Sequence, residues 1–308
     1  MTVDEVLASV RGTQRCIVTW NSTTGEFVEV FVIEPQTGRA QISSLVAKVE
    51  TQLGMRVGSN TFDSAKVTRE ALQQLQSETV RVATRRTILH EWSTATVDEL
   101  LRILERGEYP SVMKKEDDSR IILDHLWELH RDELTTTIQD RMHRLVGSVA
   151  LSERASFACN AYLLALRDEG GKLVELWRTG DVGSRSWADT FVLMDCFCHV
   201  QVEERSVVND IIGIIEKPYW IFGPRFEAMM AVGKLESGRG RRGADIIREV
   251  VFDSTPSIIA ARDRVLERLT TEPTIWITCT VCCHGRVHSE GCTAIACPNC
   301  IGLGVVRR

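Results

Sequence analysis

The chain has 308 residues, 44% of them hydrophobic and 26% charged, with a formal net charge of −5. That length and balance exclude a disordered polymer and suit one large or two ordinary domains. No apolar run approaches the roughly 20 residues that span a bilayer. The opening MTVDEVLASVRG has acids where a secretory signal would be basic and then apolar, so a reducing compartment (cytoplasm or nucleus) is expected, with no membrane partner.

Taken in order, the chain begins with a hairpin. Cys16 to Trp20 and Phe27 to Ile33 are rich in β-branched and aromatic residues, and Ser22-Thr-Thr-Gly25 turns between them. The period then changes. Gln41 to Leu53 and Thr68 to Leu89 carry apolar residues at three- and four-residue spacing, as amphipathic helices do. Thr96-Val-Asp-Glu99 is a capping box for a third helix that ends at Gly107. Two further helices are expected over 120–131 and 133–147.

The middle reads differently. Phe157 to Leu166 and Leu173 to Trp177 suggest strands joined at Arg167-Asp-Glu-Gly-Gly171, and Thr190 to Val202 suggests another strand. Helices follow at about 206–217 and 224–236. Glu236 to Gly243 breaks the pattern, and Thr255-Pro256 starts a helix that runs to Leu269. Thr274 to Thr278 is a short strand. The expected fold class is α+β, helix-rich with β-hairpins and a C-terminal knuckle built on the chain's last cysteines, Cys279-Thr-Val-Cys282 and Cys297-Pro-Asn-Cys300, whose paired spacing suits zinc. The expected regions are 1–150, a hairpin plus helices; 151–272, an α+β region; and 273–308, the knuckle.

Six of the ten cysteines lie between Cys279 and Cys300. Two form Cys279-Thr-Val-Cys282 and two form Cys297-Pro-Asn-Cys300, with fourteen residues between the pairs. Two thiolates on one tight turn can face a single tetrahedral ion, and a second pair closes a four-cysteine Zn²⁺ site. Such a site leaves no open position for water, so it is structural rather than catalytic. Cys283, His284, His288 and Cys292 are also within reach as substitute ligands. After Cys300 come Gly302 and Gly304, whose backbones can take positive φ and turn N–H groups toward sulfur.

Cys297-Pro-Asn-Cys300-Ile-Gly302-Leu-Gly304 reads CxxCxGxG, while in the first arm Arg286 stands where a second glycine would be. The pattern resembles the cysteine-rich repeats of DnaJ-type chaperones and the similar pairs of lambdoid-phage late antitermination proteins. The resemblance covers about a tenth of the chain and implies Cys279, Cys282, Cys297 and Cys300 as zinc ligands. DnaJ-type proteins have four repeats and a His-Pro-Asp triplet; this chain has two repeats and no such triplet, which disfavours a co-chaperone.

Cys196-Phe-Cys198-His199 is read as buried free cysteines on a strand. His125 and His130, five apart on a helix, do not share a metal as i, i+4 histidines would. No Walker A loop, dinucleotide fingerprint, nucleophile elbow or catalytic carboxylate pair occurs, so no enzyme is expected. From Ser237 onward ten Lys/Arg face seven Asp/Glu, whereas the first 236 residues carry 27 against 35. Arg239, Arg241 and Arg242, extended by Arg307 and Arg308, are therefore the candidate phosphate contacts. The expected function is a zinc-knuckle protein that binds nucleic acid or transcription machinery, of phage or viral source. The alternative is a zinc-stabilised viral structural or assembly protein that self-associates without catalysis.

Overall fold

The structure, a computed structural model, describes residues 1–308 except 11–14, 35, 111–114, 180–185, 203, 218–221, 236–240, 251–254, 272–275, 283–285, 289–293 and 308. The chain divides into two units, Met1–His90 and Glu91–Arg308.

In the first unit, β1 (Arg15–Asn21), β2 (Phe27–Val32) and β3 (Val57–Asp63) form an antiparallel sheet in the order β2-β1-β3. The expected hairpin is present. β1 is central because its run Cys16-Ile-Val-Thr19 can be covered on both faces, and all four residues are buried. Around the sheet lie α1 (Val3–Ser9), α2 (Arg39–Leu53) and α3 (Arg69–Thr94). Val6, Val10, Cys16, Val18, Phe27, Val67 and Leu72 make the core. The sequence pattern did not reveal α1, although Thr2 and Glu5 cap it reciprocally. It also missed β3, whose Val-Gly-Ser-Asn-Thr-Phe-Asp lacks apolar alternation because only Val57 is buried on this edge strand.

Gly58 of β3 sits opposite Trp20, and a Cβ there would come within 2.5 Å of the indole. Gly58→Ala should therefore cost about 1–3 kcal/mol through overpacking. The check is a lower midpoint of denaturant unfolding with an unchanged slope.

The second unit is helical. Its helices are α4 (Val97–Arg106), α5 (Lys115–Leu129), α6 (Thr136–Leu145), α7 (Glu153–Leu166), α8 (Gly170–Arg178), α9 (Trp187–Val200), α10 (Arg205–Glu216), α11 (Phe222–Leu235), α12 (Arg241–Glu249) and α13 (Pro256–Thr270). The capping box at Thr96 and the left-handed Gly107 bound α4 as the sequence indicates. The expected helices near 120–131, 133–147, 206–217, 224–236 and 256–269 are also found.

The three strands expected in the middle are helices instead: 157–166 lies in α7, 173–177 in α8 and 190–202 largely in α9. The reason is burial. α7 and α9 pack against each other, and α9 also packs against α11, so apolar residues occupy most of each circumference and erase the 3.6-residue period. Local signals agree with the structure: alanines fill α7, and Ser152 and Ser186 cap α7 and α9 by accepting from Ala155 N–H and Asp189 N–H. Between α7 and α8 the left-handed residue is Asp168, at φ 56°, and Gly170-Gly171 opens a helix rather than turning a hairpin. The chain is thus helix-rich α+β with small antiparallel sheets. No helix among the described residues is long and apolar enough to cross a membrane.

Candidate metal centre

Four short strands frame the cysteines. β4 (Trp276–Thr278) pairs antiparallel with β7 (Val305–Arg307), and β5 (Arg286–His288) pairs antiparallel with β6 (Ala294–Ala296). Cys279 and Cys282 leave β4, and Cys297 and Cys300 precede β7, so the β4–β7 ladder draws the two turns together. Cys279 N–H donates to Gly304 C=O at 2.9 Å, locking the end of that ladder.

The four sulfurs lie within 4.8 Å of one another. Cys279 and Cys297 are 4.0 Å apart and Cys282 and Cys300 are 3.6 Å apart. A tetrahedral ion bound at about 2.3 Å has sulfur–sulfur edges of about 3.8 Å. A disulfide would bring two sulfurs to about 2.05 Å. The donor set therefore fits a single metal ion, and all four cysteines are free.

Hydrogen-bond donors reach two of the sulfurs. Gly304 N–H donates to Cys300 Sγ at 3.3 Å, and Asn299 Nδ2 donates across the turns to Cys279 Sγ at 3.4 Å. Gly302 and Gly304 have φ of 85° and 73°, so the positive φ expected of the CxGxG segment is realised. Ile301 shares it at 54°, a conformation unfavourable for a β-branched residue, held where the turn wraps the sulfur. Burial pushes the Cys279 thiol up, but the Asn299 amide, the Val281 backbone and the neighbouring thiols outweigh it and bring the pKa to about 7. Burial leads at Cys300 and raises its thiol. Cys279, Cys297 and Cys300 are buried, while Cys282 is half-buried.

The knuckle is seated on helices of its own unit. Leu303 is buried, and a Cβ placed on Gly233 of α11 would lie 3.4 Å from its side chain and 3.0 Å from Val265 of α13. Glycine at 233 therefore permits the close approach of α11 to both. Arg307 of β7 donates to Glu267 of α13 at 2.6 Å, and Trp276 Nε1 donates to Thr271 Oγ1 at 2.9 Å.

Of the other predicted ligands, Cys283, His284 and Cys292 lie outside the described residues, and His288 is described only as part of β5. Among the candidate phosphate contacts, Arg239 and Arg308 lie outside the described residues, and Arg241 is placed in α12 by its backbone alone. The exposed Arg242 donates to Asn209 of α10 at 2.9 Å. Arg307 is held by Glu267 as above. Cys196 and Cys198 are buried free thiols on α9, both raised by burial, which matches the packing reading although the element is a helix.

A second feature escaped the sequence reading. Asp195 of α9 accepts from Trp127 Nε1 at 2.5 Å and from Arg131 Nη2 at 3.1 Å, and Lys234 of α11 stands 3.6 Å away. The Arg131 guanidinium lies 3.7 Å over the Trp127 ring, which also stacks on Tyr162 at 4.6 Å and meets His199 edge-on at 5.2 Å. Tyr162 donates to Asp124 at 2.6 Å, and Arg120 pairs with the same carboxylate at 2.7 Å. Burial first, and Asp124 second, push the Tyr162 hydroxyl well up. The signal in the sequence is the spacing Arg120, Asp124, Trp127, Arg131, the first three on one face of α5 and the last in the 3-10 turn that follows it. These charges are mutually paired, and the network ties α5, α7, α9 and α11 together.

These observations define a helix-rich α+β protein with a four-cysteine knuckle that can hold one metal ion. No protein-family model, curated protein or solved structure matches the chain.

Proposed function

We propose that the chain is a zinc-binding protein without catalytic activity, whose C-terminal knuckle builds a surface for nucleic acid or a nucleoprotein complex such as transcription machinery. The observation that carries the zinc reading is the set of four sulfurs at tetrahedral spacing. Four thiolates select zinc or an iron–sulfur centre, and they fill a tetrahedral shell with no site for a substrate water. The nucleic-acid reading is supported by the basic excess from Ser237 onward and by the CxxCxGxG resemblance to phage antitermination proteins. That resemblance also supports a phage or viral source and a reducing compartment, cytoplasm or nucleus, where free thiols persist.

A specific observation favours the second reading, a zinc-stabilised assembly protein. Ile277 and Val281, beside the first pair of cysteines, are 44% and 58% exposed, while Arg242 and Arg307 already have partners within the chain. Fluorescence anisotropy with a pool of short RNA and DNA, in a salt series, separates the two. The nucleic-acid reading expects affinity to fall with salt, with a log–log slope of about −2 or steeper. Replacing Arg239, Arg241 and Arg242 with alanine should abolish most of that retention. Salt-independent absence of binding, with oligomers in light scattering, would overturn it in favour of assembly.

A further inference from the structure

The helices beneath the knuckle carry a cation with no described carboxylate in ion-pair reach. Arg268 stands in the last turn of α13 and lies 5.9 Å from the Trp276 ring, three residues before the first metal-binding cysteine. Its Nε and Nη1 are buried and have no hydrogen-bond partner among the described residues. No carboxylate among them lies within 4.0 Å of it; the adjacent Glu267 is committed to Arg307. A cavity of about 410 Å³ is shared by Arg268, Arg131 and Lys234 on the helical side and Thr278, Cys282 and Gly304 on the knuckle side. Asp195, which also lines it, already holds Arg131 and Lys234. Asp132 is exposed at the rim.

We infer that Arg268 is the charge partner of the metal-loaded knuckle, so that metal occupancy and the seating of the knuckle on α13 are coupled. A divalent ion held by four thiolates carries two net negative charges. A cation whose Nε and Nη1 are buried at the wall of that cavity stabilises the dianion across it, and the dianion in turn offsets the penalty of burying those groups. With the metal gone and the thiols protonated, the carbonyl end of α13 and the Trp276 ring remain to offset the charge. Burial depresses the Arg268 pKa and Cys198 only partly opposes it, the sign expected of an under-compensated cation. Arg268 touches no ligand atom in this account; it acts through the field across the cavity and is a positioning residue.

The inference rests on the zinc reading, and the test separates the two. Zinc affinity is measured by competition with a chromogenic chelator for the full chain and for R268Q and R268K, alongside the melting temperature of each metal-free form. R268Q is expected to bind zinc about tenfold more weakly or worse, R268K to restore most of the loss, and metal-free R268Q to melt no lower than metal-free wild type. Zinc affinity unchanged in R268Q would overturn the inference and leave the zinc reading standing. So would an equal loss in R268K, or a parallel fall in metal-free stability, which a packing role alone would produce. Should R268Q fail to fold, R268K decides: zinc affinity close to wild type is required of it, and a loss of about tenfold would overturn the inference. A wild-type chain that binds no zinc overturns both.

Discussion

Replacing Cys297 with serine is expected to weaken zinc binding at least about a hundredfold. Structural zinc sites contribute about 10–16 kcal/mol over four ligands, so one thiolate is worth about 3 kcal/mol. Serine stays protonated and offers a poor ligand in a fully buried position. The loss should not stay local. The turn after Cys300 seats Leu303 against Gly233 of α11 and Val265 of α13, so an open knuckle uncovers apolar surface on both helices. The variant should melt several degrees below wild type, and a strong chelator should bring wild type down to the same temperature. Equal melting of the variant and the zinc-loaded wild type would show that the cysteines contribute packing alone.

The second large effect is expected at Asp195. Its carboxylate is the shared acceptor for Arg131 and Trp127, and the Arg131 side chain is only 5% exposed. Asp195→Ala would strand a buried guanidinium and an indole N–H, a class of change that costs about 3–5 kcal/mol. Asp195 itself is 36% exposed, so water can reach the vacated position and the low end, about 3 kcal/mol, is expected. Removing both charges in Asp195→Ala with Arg131→Met should cost less than the sum of the single changes, because the buried guanidinium is gone and only the Lys234 ammonium, 19% exposed, loses its partner. Additive losses in urea unfolding would show that the two side chains act independently.

How far the sequence leads depends on the kind of signal each element leaves. The knuckle is legible because metal chemistry dictates spacing directly: CxxC pairs, and glycines where the backbone must turn toward sulfur, at φ 85° and 73°. Helices at the surface are legible from their stripes, as α4 is from Thr96 to Gly107. α7 and α9 are not. Val192, Leu193, Met194, Cys196, Phe197 and Cys198 are all buried, and such a run looks the same whether it winds or extends. β3 fails for the opposite reason, being an edge strand with too little apolar character. The Asp195 network was hidden because it joins α5 to α9 and α11 across 68 and 39 residues of sequence, a relation set only by packing. The Arg120–Arg131 stripe alone could have pointed to it.

Zinc K-edge X-ray absorption on the purified chain reads the ligands of the knuckle itself. Four cysteine sulfurs around the ion give one zinc per chain with four sulfur neighbours at about 2.3 Å and no light-atom shell. A nitrogen or oxygen scatterer at about 2.0–2.1 Å, or a chain purified without zinc, would contradict it.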